Sequence, residues 1–105
     1  MRESKIEQEL VERTRQAGGR AYKLISPGNN GMPDRLAIFP NRKPIFIELK
    51  TDHGRLSAAQ KIQIRRLKDL GQDVRVIYGI DGLSQFFQDT GFTGISKAID
   101  CKYEL

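Results

Sequence analysis

Residues 31–50 read GMPDRLAIFPNRKPIFIELK, and this stretch decides the fold. Two runs rich in branched and aromatic residues, Asp34 to Phe39 and Pro44 to Lys50, flank a turn at Pro40-Asn41-Arg42-Lys43. That is the pattern of an antiparallel hairpin, with its register set by a turn centred near Asn41. The register brings Asp34 opposite Glu48 to within about one residue, and side chains paired directly across strands have Cβ atoms roughly 5 Å apart. Strand alternation puts Lys50 on the same face as Glu48, roughly 7 Å along, and Ile45, Ile47 and Leu49 on the other. With Phe46 beside Glu48, the second strand is apolar enough to be central and covered on both faces.

Two acids and a lysine in such a hairpin need a physical account. Like charges at that separation push one pKa upward and force a proton on. A hard divalent cation removes the conflict: Mg²⁺ or Mn²⁺ takes oxygen ligands from Asp34 and Glu48, and the backbone carbonyl of Leu49 can add another. A salt bridge from Lys50 to one acid is the alternative, and it accounts for two of the three groups. An ion held there bridges to a phosphate oxygen and lowers the pKa of a bound water. Lys50 beside that water stabilises the negative charge that develops. The chemistry expected is phosphodiester cleavage.

Before the hairpin, residues 3–17 carry a helical pattern. Ser4 can serve as N-cap, with Glu7 three residues later in capping-box spacing. Ile6, Leu10 and Ala17 form the core stripe with Val11 on its flank, and Gly18-Gly19 stops the helix. Glu7 projects between Leu10 and Val11, so it is the candidate to complete the metal site from this helix; Glu9 and Glu12 project to solvent. Arg20 to Ile25 reads as a strand, and Ser26 to Pro33 as a turn-rich loop that is long for a hairpin connection.

After the hairpin, Thr51 to Arg55 is a loop holding the single histidine, His53. A helix follows from Ser57 to about Leu70, with Ser57 and Gln60 in a second capping-box spacing. Ile64 and Leu67 lie on its buried stripe and Leu70 at the edge, while Ile62 is exposed. Gln60 also points inward, where it could hold Lys50 or the water. Asp73 to Tyr78 alternates as a fourth strand. Gly79 to Gly82 reads as a turn, and Leu83 to Gln88 as a short helix anchored by Leu83, Phe86 and Phe87. Residues 91–105 carry Phe92, Ile95, Ile99 and Tyr103, too apolar for a disordered tail, and are expected to pack on the domain or make an oligomer contact. The αβββαβ order predicts a mixed β-sheet flanked by helices, an α/β domain. One domain is expected over residues 1–105, with its core at about 3–88 and a C-terminal extension at 89–105.

The chain has 105 residues and a formal net charge of +5, a balance that favours a polyanionic partner such as nucleic acid. Arg35, Arg42, Lys43, Arg55 and Lys61 are candidate phosphate contacts, which position a backbone rather than read sequence. The one cysteine, Cys101, excludes an internal disulfide and any CxxC zinc site. A reducing, cytoplasmic setting is expected, since no signal-peptide pattern and no apolar run of ~20 residues is present.

The pattern P-D-x13-E-L-K, with an acid on a preceding helix, resembles the PD-(D/E)XK nuclease superfamily and its restriction-endonuclease-like core. ELKTDHGRLSAAQ and GMPDRLAI resemble segments of the virus-type replication-repair nucleases, VRR-NUC, over roughly residues 3–88. The resemblance implies a small Mg²⁺-dependent endonuclease of DNA repair or recombination that acts on branched DNA. Like the Holliday junction resolvases it is similar to, it would be a homodimer that cuts four-way junctions. It also implies Glu7, Asp34, Glu48, Lys50 and Gln60 as active-site residues, with Glu3 a rival to Glu7. A non-catalytic nucleic-acid-binding module of the same fold is the alternative.

Overall fold

In a computed structural model describing residues 1–105, the chain runs α1 (Glu3–Gln16), β1 (Arg20–Lys23), β2 (Arg35–Ile38), β3 (Ile45–Lys50), α2 (Ala58–Asp69), β4 (Asp73–Tyr78), α3 (Gly79–Asp89) and α4 (Thr93–Tyr103). The four strands form one sheet in the order β1-β2-β3-β4. β1, β2 and β3 are an antiparallel meander, and β4 lies parallel to β3. A parallel neighbour needs a crossover, which α2 supplies. The hairpin register pairs Arg35 with Ile47, Leu36 with Phe46 and Ala37 with Ile45. One further residue along it, Asp34 stands against Glu48.

The two faces of the sheet are built differently. Ala21, Ala37, Ile45, Ile47, Leu49 and Ile77 turn to one side and join Ile6, Leu10, Leu83, Phe86, Phe87 and Ile99 in a single buried cluster. Each such aliphatic or aromatic side chain contributes roughly 1.5–3 kcal/mol when fully buried. On the other side α2 packs on β4, where Ile64 and Val74 are buried outside that cluster. No helix is long and apolar enough to cross a membrane.

Several elements differ from the expectations above. α1 begins at Glu3 with Arg2 as N-cap and no side-chain cap bond, so Ser4 and Glu7 do not form a capping box. Glu9 is not solvated but 4 % exposed. It accepts from Arg13 Nε (3.2 Å), Lys102 Nζ (2.6 Å) and the Tyr103 hydroxyl. Burial alone raises the Glu9 pKa, but Lys102, Tyr103 and Arg13 outweigh it and hold the carboxyl below the usual glutamate range. Gly79 to Gly82 is no turn but the first turn of α3, because Ile80, Leu83 and Phe87 share a helical stripe that the core covers. Leu70 is the C-cap of α2 and lies 74 % exposed. Residues 93–103 form a full helix whose Ile99 is buried, with Phe92, Ile95 and Tyr103 packed against the core.

Candidate active site

β3 carries Glu48 to the interior of the sheet, where it is 2 % exposed. Glu48 Oε2 accepts from Gln60 Nε2 (3.1 Å) and lies 3.5 Å from Lys50 Nζ. Glu48 Oε1 is buried and has no hydrogen-bond partner. Burial first, and then the Asp34 charge beside it, push the Glu48 carboxyl from the ordinary range up to about 7, against the opposing pull of Lys50. Asp34 is oriented from β3 itself: the Leu49 amide donates to Asp34 Oδ2 at 3.3 Å.

Local chemistry explains why the flanking loops converge here. Ser57 caps α2: the Gln60 amide donates to Ser57 Oγ (3.1 Å) and the Ser57 amide to Gln60 Oε1 (2.9 Å). That reciprocal pair uses the Gln60 oxygen and leaves its Nε2 free to reach Glu48. Capping and site support are therefore one function of Gln60, not alternatives. Gly31 sits at φ +85°, and a Cβ there would overlap the Ala59 carbonyl and the Gln60 amide. Only glycine lets the loop at 26–33 lie against the N-terminus of α2. At Gly54, a Cβ would stand 3.1 Å from Lys50 Cβ and 3.3 Å from its Cδ. The loop after β3 thus folds over the lysine stem and leaves its side chain 16 % exposed.

Not every expected residue joins the pair. The Glu7 carboxylate is held 3.3 Å from Arg35 Nη2 and is half-exposed. No three histidine, cysteine, aspartate or glutamate side chains converge as a metal-ligating group. Glu7 is paired instead with Arg35 of β2; Glu3, its rival, is exposed at the first residue of α1. Arg35 is not a free phosphate contact either, since its guanidinium also donates to the Ala21 carbonyl (3.2 Å) and is largely buried. Arg42 is likewise engaged: it donates to the Thr90 carbonyl and lies 4.8 Å over the Phe92 ring. Lys43 Nζ donates to the Gly71 carbonyl at 2.8 Å. Arg55 and Lys61 are exposed on the loop and helix that frame the site, as is His53. The Glu9 cluster was missed in the sequence, although Glu9 stands three residues after buried Ile6 and so at the edge of the core stripe.

Asp34 and Glu48 fit a hard cation. Magnesium is commonly held by only one or two carboxylates, keeping waters and substrate phosphates as its other ligands. A buried carboxylate oxygen without a donor, beside a second acid, is the donor set that such an ion satisfies.

Residues 2–81 match the model of the VRR-NUC domain family. The chain belongs to the VRR-NUC family. A relative named "Putative nuclease p44", from Acyrthosiphon pisum secondary endosymbiont phage 1, is 44 % identical over 77 residues, which are 73 % of this chain and 83 % of that protein. A solved VRR_NUC domain superposes with a TM-score of 0.68 at 25 % identity, over 93 % of this chain and 94 % of that one. Hjc of Archaeoglobus fulgidus, a Holliday junction resolvase, superposes with a TM-score of 0.50 at 25 % identity, over 68 % of this chain and 64 % of that one. The protein is thus a nuclease with the mixed α/β fold shared by VRR-NUC domains and this resolvase. In this VRR-NUC domain the P-D, E-L-K and G-x-L-S-x-x-Q segments, separate in sequence, meet at the C-terminal end of β3.

Proposed function

We propose that this VRR-NUC domain is a divalent-metal-dependent endonuclease that hydrolyses phosphodiester bonds in branched DNA, four-way junctions included. The observation that carries this is the buried, unpartnered Glu48 Oε1 beside Asp34, with Lys50 and Gln60 on the other oxygen. Asp34, Glu48 and the Leu49 carbonyl are the residues that would hold Mg²⁺ or Mn²⁺. Such an ion, when bound, supplies Lewis-acid polarisation of the phosphate and a more acidic water. Gln60 keeps the Glu48 carboxylate in one orientation through its amide. Lys50 offers a positive charge to a phosphate oxygen and to the charge that develops during cleavage. Glu7 would join this set from α1 on release from its pair with Arg35. Arg55 and Lys61 are free to contact the flanking backbone, and a branched substrate is supported by likeness to a Holliday junction resolvase. Opposed cuts across a junction need two sites, so the acting form is a homodimer.

The test is a panel of blunt, nicked, flapped and four-way DNA incubated with Mg²⁺ or with EDTA, alongside a native mass measurement. Cutting is expected only with Mg²⁺, strongest on the branched forms, and reduced at least ~10²-fold in Glu48→Ala. Equal products in EDTA, or an active Glu48→Ala, would overturn the metal mechanism. Binding of branched DNA with no cutting in Mg²⁺ or Mn²⁺ would instead indicate a non-catalytic binding module.

A further inference from the structure

The sheet face that carries Asp34 and Glu48 continues beyond them with no helix over it. Register sets Tyr22 against Leu36 and Leu36 against Phe46. Alternation then places Arg20, Tyr22, Leu36 and Ile38 on the same side as Glu48. α2 packs on β4 and leaves this half open: Tyr22 is 56 % exposed and Ile38 39 %. Beside Tyr22 lies a shallow cavity of about 400 Å³, shared with Arg20 and Ile38 and with the backbone of Gly18 and Gly19. Apart from Asp34 at its edge, this face of β1 and β2 carries no acid, and Arg20, exposed with Nη1 donating to the Gly19 carbonyl at 2.9 Å, supplies a positive charge with its other guanidinium nitrogens.

Spacing and area identify the occupant. Tyr22 lies two strands across and two residues along from Glu48, about 12 Å away by ordinary sheet dimensions. An unpaired strand extends well beyond the ~3.4 Å rise of a duplex strand, so roughly two nucleotides cover that distance. A whole aromatic side chain offers roughly 150–250 Å², so the exposed parts of Tyr22 and Ile38 present on the order of 200 Å². A stable dimer contact needs ~800 Å² from each partner, more than Tyr22 and Ile38 supply by themselves. One exposed ring with an arginine beside it suits a single unpaired base and its phosphate.

We propose that Tyr22 and Arg20 form a stacking subsite for an unpaired DNA strand leading away from the Asp34–Glu48 pair. The proposal rests on the reading of that pair as a DNA-cutting site and names what lies roughly two nucleotides from the cut. It makes the single-stranded arm of a branched substrate a recognition element.

The experiment compares the full chain with Tyr22→Phe, Tyr22→Leu and Arg20→Gln. Binding is measured by fluorescence anisotropy in EDTA, where nothing is cut, on a flapped duplex and a blunt duplex. A 2-aminopurine placed at each of roughly the first three flap nucleotides in turn reports stacking. Wild type and Tyr22→Phe are expected to quench the probe and to prefer the flap. In Tyr22→Leu, which keeps apolar volume but no ring, the preference for the flap falls about tenfold and quenching is lost; Arg20→Gln lowers the preference less. Unchanged quenching and preference in Tyr22→Leu would overturn the subsite. So would a Tyr22→Leu protein that changes oligomeric mass while binding the flap as wild type does, since the face would then belong to a second copy. A wild type that keeps the flap preference yet cuts nothing with Mg²⁺ supports the subsite and removes only the cutting assignment.

Discussion

The two faces of the sheet use β3 in opposite ways. On one, Ile45, Ile47 and Leu49 meet α1 and α3 in a dry cluster that stabilises the fold through apolar burial. On the other, Glu48 is as deeply buried as those neighbours, yet one of its oxygens has no partner and its carboxyl is pushed up to about 7. The first face is built for stability. The second holds a destabilising group in place at the stability of the first, as functional sites commonly do. One strand thus shows that burial alone does not say whether a residue supports a fold.

Substitutions on the two faces should differ in sign. Ile47→Ala opens a cavity in the dry cluster and is expected to cost about 2–5 kcal/mol, read by urea denaturation. A loss under about 1 kcal/mol would show that the two faces are not distinct. Glu48→Gln should do the reverse. The folded chain keeps the Glu48 proton up to about pH 7, whereas an unfolded glutamate releases it near 4.5. Between those values the folded state binds more protons, so wild-type stability falls as pH rises, by on the order of 3 kcal/mol across the window. The variant lacks this fall: it should match wild type below pH 4.5, exceed it above pH 7, and cut nothing. Parallel stability curves from pH 4 to 8 would break the comparison. The smallest effect is expected at Ser57→Ala, which removes the α2 cap at about 1 kcal/mol. Gln60→Ala loses the reciprocal capping bond, from the Ser57 amide to Gln60 Oε1, and also frees Glu48 Oε2, so the two variants should be similarly stable while Gln60→Ala cuts less. Equal rates would mean that the bond to Glu48 has no part in the reaction.

Much of this was legible locally. The alternation in residues 34–50 and the turn at Asn41 suffice to oppose Asp34 and Glu48, because a strand's period and a short turn leave one register that buries Ile45, Ile47 and Leu49. Ser57 and Gln60 declare the start of α2 by their spacing. Gly31 could be recognised as turn chemistry, but not as the point where a loop meets the N-terminus of α2, which depends on a contact 28 residues away in Ala59. The two glycines at 79 and 82 concealed a helix, since turn composition and a short apolar stripe compete and packing on the core decides for the stripe.

The sequence by itself determined the strand pairing, the positions of Asp34, Glu48, Lys50 and Gln60 on their elements, and so the chemistry gathered at the end of β3. Only the tertiary structure decided which charges are spent elsewhere. Helical angle alone predicts Glu7 turned inward and Glu9 to solvent, yet Glu7 is half-exposed and Glu9 buried. Arg35 arrives from β2 to hold the first, and Lys102 and Tyr103 arrive from 93 and 94 residues away to hold the second. A local period narrows where a side chain points, and long-range packing alone decides whether it is buried and which partner meets it there.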